Sequence, residues 1–179
     1  MDSLTPKAKT GKFILTYGLI LGLLSVAFNL MLYLQDAHIT ASQDTSTTVI
    51  SVVLSLGITI AAILLFKKAN GGYLKLGQAV RIAVGLQLIA AVIIIVYNLI
   101  LATVLDPEYV SKVTEFNIEQ AMASNPKLTP EIADQQREMS NKFFFAFLVG
   151  GALIVSAFFG AIYGLVIGLF AKKSEPTML

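Results

Sequence analysis

Four uncharged apolar runs, each at least 22 residues long, set the limits on what this chain can become. They lie between Lys12 and Asp36, Asp44 and Lys67, Arg81 and Asp106, and Lys142 and Lys172. A helix rises 1.5 Å per residue, so every run reaches across a hydrocarbon layer about 30 Å thick. The second run is rich in Val and Ile, which favour strands in water. In lipid the backbone must satisfy its own N–H and C=O groups, so helix prevails. The expected fold is all-α, a polytopic membrane protein with four transmembrane helices at about 12–34, 48–66, 76–105 and 142–171, forming one domain over residues 1–179. A mean hydropathy of +0.77 with only 13% charged residues agrees, since a soluble chain would leave far too much apolar surface in water. The first run follows Lys7, Lys9 and Lys12 but exceeds a signal-peptide core and lacks a small-x-small site, so it is expected to be retained.

Charge divides the connecting segments into two sets. The N-terminal tail (Lys7, Lys9, Lys12), the link between the second and third runs (Lys67, Lys68, Lys75, Arg81) and the C-terminal tail (Lys172, Lys173) oppose nine basic residues to only Asp2 and Glu175. The other two segments, residues 36–47 and 106–142, hold four basic residues against nine carboxylates. The excess of Lys and Arg marks the cytoplasmic side, so both termini and the middle link are expected there. Four crossings are consistent with that placement.

The chemistry-bearing residues are few. There is no cysteine and a single histidine, His38, whereas zinc sites need three or four protein ligands. No catalytic, metal or nucleotide motif is present, no cofactor is implied, and no continuous basic face suggests a nucleic-acid partner. His38 falls in a short Ser/Thr-rich loop and reads as a solvated side chain. No acid or base lies deep in a span, which argues against ordinary ion-coupled transport.

Uncharged polar residues within the spans are the candidates for intramembrane contacts. Gln87 and Asn98 are eleven residues apart, three helical turns, and so share a face expected to look inward toward Asn29. An amide there can hydrogen-bond across a helix contact. Gly18, Gly22 and Ser25 lie on the Asn29 stripe. The last span carries Gly160, Gly164 and Gly168 at intervals of four, a smooth face for close helix packing, expected to be used within the chain.

Two further segments carry local signals. Asn70-Gly71-Gly72 is a turn of residues that tolerate positive φ, with the third helix resuming near Lys75 and entering the membrane past Arg81. This basic turn reads as an interfacial bend, with an anion or phospholipid headgroup as a conceivable ligand. The outer segment, residues 107–141, is expected to form a helical hairpin between the third and fourth spans. Pro107 suits a first helical turn, with Val110, Val113, Asn117 and Ala121 on the apolar side and a break at Ser124-Asn125-Pro126. Thr129 is then an N-cap and Pro130 an N1 residue of a helix with no breaker before Gly150, expected to run on into the fourth span.

These features together resemble a functionally uncharacterised family of four-helix bacterial inner-membrane proteins found chiefly in Bacteroidota. The resemblance rests on the four-span layout, the basic link, Asn70-Gly71-Gly72 followed by Leu76-Gly77-Gln78-Ala79, and the helical outer segment before a glycine-rich last span. It implies a bacterial cytoplasmic (inner) membrane location and supplies no activity or site residues. The leading expectation is a structural, regulatory or accessory membrane protein, not an enzyme. Its expected partners are membrane lipids and either a second copy or another membrane protein. The alternative is an oligomeric small-solute transporter or channel lined by Asn29, Gln87 and Asn98. A lipid-acting enzyme ranks last, because His38, Arg81, Asp106 and Glu108 are expected to be scattered over both faces.

Overall fold

The computed structural model describes residues 8–41, 44–125 and 128–173. The sequence readings on Asp2, Pro6, Lys7, Pro126, Lys127 and Glu175 lie outside these residues. Five α-helices form in chain order: α1 (Thr10–Leu34), α2 (Thr45–Ala69), α3 (Leu76–Ile100), α4 (Tyr109–Ser124) and α5 (Pro130–Ala171). A π-helical turn, Leu101–Leu105, continues α3. The fold is all-α, and α1, α2, α3 with its π turn, and α5 are each long and apolar enough to cross a membrane.

Local chemistry explains where the helices start and stop. α2 begins three residues before the expected start. The Asp44 carboxylate accepts a hydrogen bond from the Thr47 N–H at 2.7 Å, which caps the helix and draws Thr45 to Thr47 into its first turn. That bond holds the Asp44 carboxyl below its ordinary value. α2 then ends beyond Phe66 through Asn70. The Gly72 N–H returns to the Lys67 carbonyl at 2.9 Å, the long bond of a Schellman ending. Gly71 and Gly72 have φ of 68° and 87°, where a side chain would be strained. α5 starts at Thr129, whose hydroxyl accepts from the Ile132 N–H, with Pro130 first in the helix. Its 42 residues run unbroken for about 63 Å. Pro107 sits in the turn ahead of α4 rather than inside it.

α3 is the central helix, clasped between α1 and α5, with α2 against their flank. Lipid tails are as apolar as leucine, so association relies on close packing rather than on escape from water. The interlock is steric. A Cβ placed on Gly164 would come within 2.5 Å of the Val80 Cα, and one on Gly160 within 2.8 Å of the Val84 Cα. Gly168 sits equally close to Leu76 and Ala79. On the opposite side, Ile89 and Ile93 of α3 press into Gly18 and Gly22 of α1, and Ile14 returns the contact at Gly85. Ala62, Ile63, Phe66, Ala79, Ile82, Ala83 and Leu86 are fully buried around this seam.

Side-chain contacts identify the two ends of the bundle. At one end the Leu74 and Lys173 backbones exchange hydrogen bonds, both at 3.0 Å, tying the α2–α3 link to the end of α5. Phe13 meets Phe66 edge-on there. At the other end Tyr33 donates to the Leu105 carbonyl at 3.2 Å. α4 packs beside the first turns of α5, where Arg137 forms an ion pair with Glu115. The face of α4 that it buries carries Thr114 and Ile118, one position round from the expected Val113 and Asn117 stripe.

Candidate functional site at the acidic end of the bundle

The first turns of α4 and the close of α3 create a cluster that sequence spacing does not reveal. The π turn ends where the Asp106 N–H donates to the Leu101 carbonyl at 2.8 Å. A π turn adds a residue to the helical cycle, and such turns recur at functional sites. Here it delivers Asp106 to the centre of three segments. Lys112, on the first turns of α4, donates to both Asp106 oxygens at 2.9 and 3.1 Å. The Glu108 N–H donates to the Asp106 Oδ1 at 3.2 Å. The His38 Nε2 lies 3.5 Å from the Asp106 Oδ2, reached from the α1–α2 loop.

His38 is not the solvated loop side chain that its neighbours in the sequence suggest. Its ring stacks on Tyr109 and meets Tyr33 edge-on, leaving the side chain 12% exposed. The four residues occupy both ends as expected, with Arg81 at the other, but His38, Asp106 and Glu108 meet in one cluster, which their spacing in the sequence does not suggest. The chain must turn at Asp36, whose φ of 53° is rare for a residue with a side chain, to bring His38 back over α1. Within this cluster the His38 Nδ1 and the Tyr97 hydroxyl are buried without a hydrogen-bond partner.

Electrostatics follow from the geometry. Burial works against the Asp106 carboxylate, but the bonds from Lys112, His38 and Glu108 outweigh it and hold its carboxyl below the ordinary value. The same Asp106 bond, with Glu108 assisting, raises the Lys112 ammonium. Burial pushes the Tyr109 phenol up, with Tyr97 and Asp106 adding to the shift. The arrangement is a charged latch that joins the α1–α2 loop, α3 and α4.

Cavities flank the latch. One of about 450 Å³ opens beside Asp36, His38, Asp106 and Lys112. A second, about 500 Å³, lies between α1, α2 and α4, with Asn29, His38, Ser51 and Tyr109 in its wall. A third, about 410 Å³, separates α4 from α5 and is lined mainly by apolar side chains, including Val113, Ile118, Met139, Phe144 and Phe147.

The intramembrane polar residues do not converge on one path. Asn29 donates to the Ser25 carbonyl at 2.9 Å and Asn98 to the Ile94 carbonyl at 2.8 Å, each within its own helix. Gln87 alone reaches a neighbour, donating to the Ser55 hydroxyl at 2.6 Å and to Thr59 at 3.3 Å on α2. Ser55 and Thr59, four apart and the only polar side chains in residues 52–66 of α2, are the readable sign of that contact. Gly160, Gly164 and Gly168 lie on α3, whereas Gly150 and Gly151 meet no other helix. In the basic turn, the Asn70 amide donates to the Tyr73 carbonyl at 3.0 Å, and Arg81 is exposed. Among the described residues no group of three or more His, Asp or Glu side chains is placed to hold a metal ion.

A family model described as "Protein of unknown function (DUF4199)" matches residues 16–173, from the second turn of α1 to the strap paired with Leu74. No curated protein and no solved structure matches the chain. With nearly all of its length inside that match and four apolar helices able to span, the chain belongs to the DUF4199 family and is a multi-pass membrane protein whose apolar flanks are solvated by lipid.

Proposed function

We propose that this is a bacterial inner-membrane protein with both termini in the cytoplasm, acting as a structural, regulatory or accessory component for another membrane protein, without catalysis of its own. The charge asymmetry between its two ends supports the orientation. On that reading α4 and the first dozen residues of α5 form an extracytoplasmic hairpin.

One observation carries the proposal: the hairpin holds an apolar cleft outside the helix seam and is attached to the bundle through the Asp106 latch. A cleft with exposed Met139 and Phe147 on its rim is suited to receiving an apolar segment of a partner. The bonding of Asn29, Asn98 and Gln87 inside the bundle favours this reading over a solute path.

The chain has no cysteine, so single cysteines report topology directly. Glu119→Cys should react with a membrane-impermeant maleimide on intact cells with a permeabilised outer membrane, and Lys68→Cys only after lysis. The reverse pattern would overturn the orientation. A photo-crosslinking residue at position 139 should trap one discrete protein, and Asp106→Ala should abolish that adduct by freeing α4. Trapping of lipid alone would refute the accessory role.

A further inference from the structure

The basic end of the bundle carries the second concentration of charge, and the latch plays no part in it. Eight Lys and Arg side chains lie there among the described residues, with no Asp or Glu between them. Every ion pair among the described residues lies at the opposite end. Eight unopposed cations in the plane of a membrane repel one another and require counter-charge.

The packing of α3 places one of these cations in a defined notch. Leu76, Val80 and Val84 mark the stripe that receives the α5 glycines. Gly77 and Arg81 are each one residue further on, so they form the adjacent stripe, and both are exposed. Helical side chains lean toward the N-terminus, so Arg81 is directed along this stripe toward the turn that carries Gly77. A Cβ on Gly77 would meet nothing within 4 Å, so the space over that turn is open. Arg81 lies about 9 Å below Lys75 along the helix axis, a depth from which its guanidinium can reach the headgroups. Lys75 is the exposed N-cap residue of α3 at the same end. Lys173 is tied to the start of α3 by the Leu74 bridge, with its ammonium over the Tyr73 ring.

We infer that this notch binds the phosphate of an anionic phospholipid from the adjoining leaflet, with Arg81 as the planar two-pronged donor and Lys75 and Lys173 as supporting charges. A guanidinium matches a phosphate through paired N–H···O bonds that a lysine cannot reproduce. The lipid tails would then run down the exposed flank of α3 beyond Arg81. The site stands whichever side of the membrane this end faces.

The test uses the full chain in nanodiscs of phosphatidylcholine and phosphatidylglycerol in equal amounts, with lipid retention read by native mass spectrometry. The wild-type protein should retain one phosphatidylglycerol in preference to phosphatidylcholine. Arg81→Gln should lower that preference about five-fold, the scale of one basic side chain at an anionic surface. Lys68→Gln, which removes the same charge away from the notch, should leave the preference nearly intact. Helical content and the thermal midpoint in pure phosphatidylcholine should be the same for both variants and the wild type. Equal retention of the two lipids, or equal losses from Arg81→Gln and Lys68→Gln, would overturn the inference, the latter by reducing it to a diffuse charge effect.

Discussion

The two halves of the bundle are built on different principles. Toward the basic end, helices meet through missing side chains: Gly160, Gly164 and Gly168 admit the α3 backbone, and Ala79, Ile82, Ala83 and Leu86 are fully buried around it. Toward the acidic end the packing loosens. No residue of α2 from 45 to 58 is buried, and none of α5 from 134 to 159. There the elements are joined by ions, hydrogen bonds and aromatic edges instead: Asp106 with Lys112 and His38, Tyr33 with Leu105, and Tyr109 with Phe144. Close-packed backbones have one arrangement that fits, whereas charged side chains at a water-facing end can be exchanged for solvent or a partner. The comparison separates an anchor from an adjustable head.

Substitutions at paired positions test that division. The largest effect is expected for Gly164→Leu, which drives a side chain into the Val80 backbone and should cost about 3 kcal/mol or more in detergent unfolding. Gly151→Leu, on the same helix but in open space, should leave stability nearly unchanged. Equal losses at the two glycines would erase the distinction between the halves. Asp106→Ala should act locally, with amide exchange rising several-fold across α4 while the thermal midpoint of the bundle holds.

The pH response of the latch has a defined sign. The Asp106 carboxyl is depressed in the folded protein, so its stabilisation is complete above the ordinary value of 3.8 and fades as pH falls through the depressed one. Exchange in α4 should therefore rise on acidification, and a flat profile from pH 6 to pH 3 would contradict the assignment. Gln87→Leu should lose about 1 kcal/mol, the scale of an interhelical hydrogen bond in a membrane, because Ser55 and Thr59 lose their donor. Asn98→Ala should change stability least, since its amide serves only its own helix.

What could be read from the sequence follows from the range of the forces involved. Apolar runs, the Asn70-Gly71-Gly72 turn and the Thr129-Pro130 start are governed by neighbours within a few residues, and the observed helix ends fall near the expected ones. The start of α2 departs from the expected one because a hydroxyl-rich stretch resembles a loop, whereas the Asp44 cap draws it into the helix. The latch was harder still. His38 and Asp106 are 68 residues apart, and no periodicity connects a loop after the first span to the end of the third. Their meeting depends on the bend at Asp36 and on the π turn, both of them tertiary accommodations. Asn29 and Asn98 show the converse limit, because a shared helical face does not say whether an amide will bond across the interface or to its own backbone.

The unbroken length of α5 has a mechanical consequence. About 45 Å of this bar precedes Gly160, the first glycine of the seam, while the stretch from Gly160 to the Leu74 strap covers only about 18 Å. If the bar rocks about that seam, a swing of its outer tip reaches the strap reduced to roughly two-fifths. Gly150 and Gly151, free of neighbours and partway along the long arm, are where such a swing would be absorbed before it travelled further. Stiffening that pair with alanines would couple the two membrane faces more tightly without touching a single contact between helices.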